Sequence, residues 1–290
     1  MLLLLGLVGC STPPSAVVEP PFTPLQVAPK KPPKLGLVLG GGAARGFAHV
    51  GVIQVLEEAG IRPSLVVGTS AGSLVAAFYA SGKTGAQLQQ IAESMEEATF
   101  ADWTLPIFSR GMLRGEALAR YVGSQTNGKL IESMPMPLGI VATDLNTGQG
   151  VLFQRGDTAT AVRASSAVPA LFQPVKIAGR EYVDGGLVSP VPVRYARQMG
   201  ADLILAVDIS SPPEGNAAKD TLQILMQTFA IMGKSINTFE LREADIVVRP
   251  LLTGVSSADF GARRQAITAG RVAMQALLPQ LQNALLTKSK

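Results

Sequence analysis

Apolar residues along this chain fall into two kinds of run. Short unbroken blocks rich in Leu, Val and Ile predict strands covered on both faces at 35–40, 64–68, 137–143, 203–209 and 245–249. Between them lie longer stretches whose apolar positions return every three or four residues. These predict helices over 44–59, 71–81, 85–97, 115–124, 191–199, 219–241 and 262–286. Alternation of the two predicts an α/β body with a mostly parallel central sheet and helices on both faces. In open sheets of this kind the chemistry sits in the turns at the carboxyl ends of the strands. Residues from 200 onward read as two more strand–helix units of the same sheet, and no internal repeat is evident.

Two of those turns carry glycines in a telling order. After the first strand comes Gly40-Gly41-Gly42-Ala43-Ala44-Arg45-Gly46, and after the second Gly68-Thr69-Ser70-Ala71-Gly72. Three consecutive glycines let the main chain approach a ligand closely, and the first turn of the next helix leaves N–H groups free to hold negative charge. A G-x-S-x-G on a sharp strand-to-helix bend lifts the serine hydroxyl clear of the sheet. Ser70 is thus the candidate nucleophile, and the loop Gly40, Gly41 and Gly42 the candidate oxyanion hole. A dinucleotide fingerprint fails because its third glycine position holds Arg45, and a phosphate loop ending at Gly82-Lys83-Thr84 fails because its leading position holds Ala77.

The partner of Ser70 is harder to see. The single histidine, His49, precedes the serine and shares helical spacing with Val52, Ile53 and Leu56, which predicts a packed, hydrogen-bonded residue. Asp184, in Tyr182-Val183-Asp184-Gly185-Gly186, sits where a short strand would present a carboxylate before a turn. By itself it also fits an ordinary Asp-Gly turn. Asp144 reads as a hydrogen-bond acceptor in its own turn.

Taken together, G-G-G-x-x-R-G at 40–46, G-x-S-x-G at 68–72 and D-G-G at 184–186 resemble the patatin-like phospholipases, a family of lipid acyl hydrolases. The stretches Ala142–Gly148 and Arg163–Pro169 are similar to bacterial members, and the likeness covers about residues 35 to 195. The resemblance implies a three-layer α/β/α patatin-like fold and a Ser70–Asp184 dyad that needs no cofactor and no metal. It implies cleavage of fatty-acyl esters of phospholipids or lysophospholipids through an acyl-serine intermediate. Arg45 is expected to stabilise the loop or to bind a phosphate head group. An acyltransferase would use the same residues, and a non-catalytic lipid-binding protein would keep the fold without needing them.

The amino terminus changes the picture of where such a body works. Met1 to Gly9 is almost wholly apolar and ends in Leu7-Val8-Gly9-Cys10, which resembles a bacterial lipobox with Cys10 as the lipidated residue. Residues 10–34 are proline-rich and too poor in large apolar side chains to build a core, as expected of a tether, leaving 35–290 as the acyl hydrolase domain. The pattern predicts a lipid-anchored protein of the bacterial cell envelope, with Ser11 favouring the outer membrane facing the periplasm; the alternative is a merely apolar terminus on a cytoplasmic or peripheral membrane protein. One cysteine and one histidine exclude an internal disulfide and a multi-residue Cys/His metal site. A net charge of +4 suits approach to anionic lipid. Scattered basic residues and 5% aromatic content carry no nucleic-acid motif. Phe100–Phe108, apolar and broken by proline, reads as a lid, an acyl-chain wall or a buried connecting loop, and Phe78, Met112, Met134 and Met136 as candidates for an acyl channel.

Overall fold

The computed structural model describes residues 32–96, 102, 110–210, 220–256 and 258–288. The segment Met1–Gly9, Cys10, the proline-rich stretch up to residue 31 and, apart from Asp102, the stretch Phe100–Phe108 lie outside the described residues. In chain order the strands are β1 (Leu35–Leu39), β2 (Leu65–Thr69), β3 (Gly111–Leu113), β4 (Leu138–Asp144), β5 (Gly150–Phe153), β6 (Ala170–Phe172), β7 (Val175–Ile177), β8 (Arg180–Asp184), β9 (Leu203–Val207) and β10 (Ile246–Val248). The helices are α1 (Ala48–Glu58), α2 (Ala71–Ala80), α3 (Gly85–Ser94), α4 (Glu116–Thr126), α5 (Thr158–Ser165), α6 (Val193–Gln198), α7 (Thr221–Glu240) and α8 (Arg263–Thr287).

The main sheet runs β10-β9-β1-β2-β4-β8-β7, with β5 folded back on β4. From β10 to β4 every pairing is parallel, whereas β8, β7 and β5 join antiparallel. This is the expected α/β layering of a patatin-like fold. Alternate residues of β1 face opposite layers: Leu37 and Leu39 pack with Ile53 and Leu56 of α1, while Val38 packs with Val193 and Ala196 of α6. Each such side chain, fully removed from water, contributes about 1.5–3 kcal/mol. Helices α1 and α8 cross with their backbones touching. A Cβ on Gly51 would lie 2.0 Å from the Ile267 carbonyl oxygen, and one on Gly270 would lie 2.0 Å from that of Ala48. The last helix therefore locks the first, as expected if residues after 200 complete the same sheet.

Two features depart from the sequence pattern. The helix expected at 44–59 opens as a 3-10 turn, Ala43–Phe47, because it must first wind out of the glycine loop. Strands β3, β5, β6 and β7 and helix α5 carry no long apolar run. They are short, the strands mostly half-buried and α5 mostly buried, so neighbours rather than local pattern hold them. Among the described residues no helix is long and apolar enough to cross a membrane.

Candidate active site

Ser70 occupies the bend between β2 and α2 with φ 53° and ψ −126°, a conformation that costs a side-chain-bearing residue on the order of 1–3 kcal/mol. Close packing enforces it. A Cβ on Gly72 would sit 2.0 Å from the Leu39 carbonyl oxygen, and one on Gly68 would sit 2.4 Å from that of Gly72. The Ser70 N–H donates to Ser165 Oγ at 2.9 Å, and that hydroxyl donates onward to the Val141 carbonyl at 2.6 Å. Ser165, fully buried at the end of α5, thus ties the bend to β4. The sequence reading did not single it out, although it lies in the quoted stretch Arg163–Pro169.

Register brings the acid to the serine. Thr69 pairs with Val141 across β2 and β4, and Ala142 pairs with Asp184 across β4 and β8. Antiparallel β8 therefore ends level with the bend although its residues lie far off in sequence. Ser70 Oγ donates to Asp184 Oδ2 at 2.7 Å, and the Gly186 N–H donates to Oδ1 at 2.7 Å. Thr143 Oγ1 holds the Asp184 carbonyl at 2.8 Å. Gly185 is forced, since a Cβ there would meet the Val141 carbonyl oxygen at 2.2 Å. Burial pushes the Asp184 carboxyl up to about 6, against the pull of the Ser70 and Gly186 hydrogen bonds. It is a stronger base than an exposed aspartate.

The glycine loop lies beside them but differs in detail from the expectation. Gly40 donates its N–H to the Val207 carbonyl at 3.0 Å and Gly41 donates to that of Pro190 at 2.9 Å. Their amides are spent on the frame because Gly40 continues the β1–β9 ladder and Gly41 anchors the following turn. The N–H groups of Gly42 and Ala43 have no protein acceptor among the described residues, and Ala43, at φ 49°, lines the cavity with Ser70. Arg45 is 5% exposed and donates from Nη2 to the Ser210 carbonyl at 2.9 Å, away from the residues that line the cavity. His49 is fully buried, with Nε2 2.8 Å from the Gly40 carbonyl oxygen. Desolvation lowers its pKa to about 4, so the ring is neutral and donates from Nε2.

From Ser70 an apolar cavity of about 330 Å³ runs between α2, α3 and α4, lined by Phe47, Leu74, Phe78, Ile91, Leu118 and Phe172 among others. Phe78 is there as expected; Met112, Met134 and Met136 are not among its lining residues. Asp102 closes off α4, accepting from the N–H groups of Gly115 at 2.8 Å and Ala117 at 2.9 Å. Asp144 is the turn acceptor predicted for it. Its Oδ1 takes the N–H groups of Asn146 and Thr147, both at 3.0 Å, and its Oδ2 takes Arg180 at 3.2 Å.

The Ser70 bend, the neighbouring Asp184 carboxylate and an apolar cleft lie together at the carboxyl edge of a mostly parallel sheet, a candidate hydrolytic site on an α/β protein. The family described as Patatin-like phospholipase matches residues 37–197, and the chain belongs to that family. An uncharacterized NTE family protein of Mycobacterium tuberculosis is 37% identical over 194 residues, covering 67% of this chain and 54% of the relative. Patatin-like phospholipase domain-containing protein 6 of Mus musculus is 34% identical over 188 residues, 62% of this chain and 14% of the relative. The chain spans about half the length, or less, of these curated relatives. Among solved structures, VipD from Legionella pneumophila superposes with a TM-score of 0.59 at 17% identity over 87% of this chain and 68% of that one. ExoU of Pseudomonas aeruginosa, in its complex with SpcU, gives 0.51 at 21% identity over 87% and 53%. These structural likenesses speak for the fold. Family membership points to a lipid hydrolase.

Proposed function

We propose that the chain is a serine acyl hydrolase that cleaves fatty-acyl esters of phospholipids or lysophospholipids. The observation that carries this reading is the 2.7 Å hydrogen bond from Ser70 Oγ to Asp184 Oδ2 at the mouth of an apolar cavity. Ser70 Oγ attacks the ester carbonyl carbon while its proton passes to Asp184. The carbonyl oxygen becomes an oxyanion, held by the free N–H groups of Gly42 and Ala43, and each such donor lowers the barrier by about 2.7–4 kcal/mol. Collapse expels the alcohol, which leaves with the proton from Asp184, and the acyl group remains on Ser70. Water then attacks that ester with Asp184 as base, the fatty acid departs, and the proton returns to Ser70.

The acyl chain lies in the cavity. Each methylene it buries contributes about 0.8 kcal/mol, so lengthening the chain by two carbons raises kcat/KM about tenfold until the cavity is full. The test incubates the protein and its Ser70→Ala variant with mixed phospholipid and lysophospholipid micelles and identifies products by mass spectrometry. Serine-dependent free fatty acid is expected. Transfer to an added alcohol without release would make the protein an acyltransferase, and no serine-dependent product would end the reading.

The same proposal extends to place. Cys10 carries the lipid and anchors the protein to the bacterial outer membrane on its periplasmic face. The support is the residue pattern. Cys10→Ser is expected to release the protein from membranes while turnover on micelles stays unchanged.

A further inference from the structure

Helix α7 turns a run of apolar side chains toward water. Its second half is pinned to the carboxyl edge of the sheet. Gly233 lies against Pro190, Asn237 Nδ2 donates to Ser210 Oγ at 2.8 Å, and Ser189 Oγ donates to Glu240 Oε1 at 2.6 Å. Pro190 is the residue whose carbonyl holds Gly41 of the glycine loop. The first half does not pack in this way: from Thr221 to Met232 none of the described side chains is buried. Yet this half is apolar. Ile224 is 57% exposed, Ile231 52% and Met232 45%, and Phe239 further along is 69% exposed. Ile224, Thr228, Ile231, Ser235 and Thr238 follow helical spacing along one outward face. Lys234 is the only charged residue from 221 to 239.

An outward face of this kind opposes the usual rule, in which a surface helix turns its apolar stripe inward. Beside it, Lys234, Arg242 and Arg249 line one recess with Asn237, Ser210 and a single acid, Asp208, which pairs with Arg249 at 3.4 Å, so that the recess keeps a net positive charge. An apolar helix face with a basic border, lying flat, is the pattern of an element that enters the interface of an anionic membrane.

We propose that α7 is an interfacial docking helix, which lays Ile224, Ile231 and Phe239 into the surface of an anionic lipid layer with the Lys234–Arg242–Arg249 border against its head groups. A lipid surface fits better than a protein partner because the helix carries a net positive recess beside its apolar face and is pinned through Ser189 and Pro190 to the edge that carries Ser70. Docking there brings the cavity mouth to the layer in which an acyl ester lies. The inference rests on the lipid-hydrolase reading for its purpose, but its test does not need catalysis.

The full chain carrying Cys10→Ser and Ser70→Ala, so that neither anchor nor turnover interferes, is floated with vesicles of equal phosphatidylglycerol and phosphatidylcholine. Adding Ile224→Asp and Ile231→Asp is expected to lower the partition coefficient at least tenfold, with Tm unchanged and with phosphatidylcholine vesicles binding more weakly throughout. In the background with Ser70 intact, the pair slows vesicle phospholipid hydrolysis and leaves that of a soluble short-chain ester unchanged. If the aspartates disturb folding, Ile224→Ser with Ile231→Ser gives the same comparison with a smaller loss. Equal vesicle binding by variant and parent overturns the proposal. So does light scattering that shows a parent dimer which the substitutions separate, since α7 would then face a second copy. Loss of vesicle binding in a protein with no esterase activity on any substrate would uphold the docking helix and sink only the hydrolase reading.

Discussion

The ends of β4 and β8 lie side by side, and each carries a buried aspartate, yet the two carboxylates have been given opposite surroundings. Asp144 receives the Asn146 and Thr147 amides and the Arg180 guanidinium. Burial works against its charged form, but these donors together hold its pKa below the ordinary value. Asp184 has one amide and the Ser70 hydroxyl, no cation, and a pKa raised to about 6. A carboxylate saturated with donors keeps its charge and organises a turn. One left under-supplied in a dry site takes a proton readily, which is what a base for serine needs. Residue type does not separate these roles; the count of donors does.

The contrast breaks most completely at the dyad. Ser70→Ala and Asp184→Asn are each expected to lower kcat by about 10⁴, and the double variant little further, because groups that act as one unit are not additive. Single-turnover measurements on one ester check this, and full activity in either single variant sinks the dyad.

The next largest effect is of pH. Below about pH 6, kcat/KM should fall tenfold per unit as Asp184 takes up a proton. Asp144 behaves in the opposite sense. Its folded pKa is depressed, so its stabilisation is present above the unfolded value of 3.8 and is lost only as pH falls through the lower folded value. At pH 5 activity should therefore be about tenfold lower in a protein whose circular dichroism is still native.

Stability sharpens the difference further. The folded pKa of Asp184 lies above its unfolded value, so folding binds a proton and stability declines as pH rises from about 4 through 6. Asp184→Asn removes that charge. At pH 8 it should add up to about 2 kcal/mol, a rise in Tm of roughly 4–8 °C, while abolishing turnover. An unchanged or lower Tm would show that burial is not what shifts this group. The smallest effect on activity belongs to Asp144→Asn, which should lower Tm by weakening the Arg180 pairing and change kcat on the folded protein by less than about threefold.

What the sequence by itself determined was everything that depends on neighbours in the chain. Unbroken apolar blocks placed β1, β2, β4, β9 and β10, because a strand covered on both faces has no polar position to spare. The bend at Ser70 was legible because only glycine at 68 and 72 allows the backbone to pass so close to Leu39. His49 could be read as packed from its helical spacing, and the structure finds it buried on the Gly40 carbonyl. Tertiary structure decided what depends on partners brought from a distance. The pairing of Ala142 with Asp184 put the acid level with the serine, and no local pattern encodes that register. Ser165 reached Ser70 through α5, which carries no long apolar run of its own. The choice among the loop amides turned on which carbonyls came near. Val207 and Pro190 took those of Gly40 and Gly41, leaving Gly42 and Ala43. A hydrogen-bond donor can be named from the chain, but whether it is free depends on what folding sets beside it.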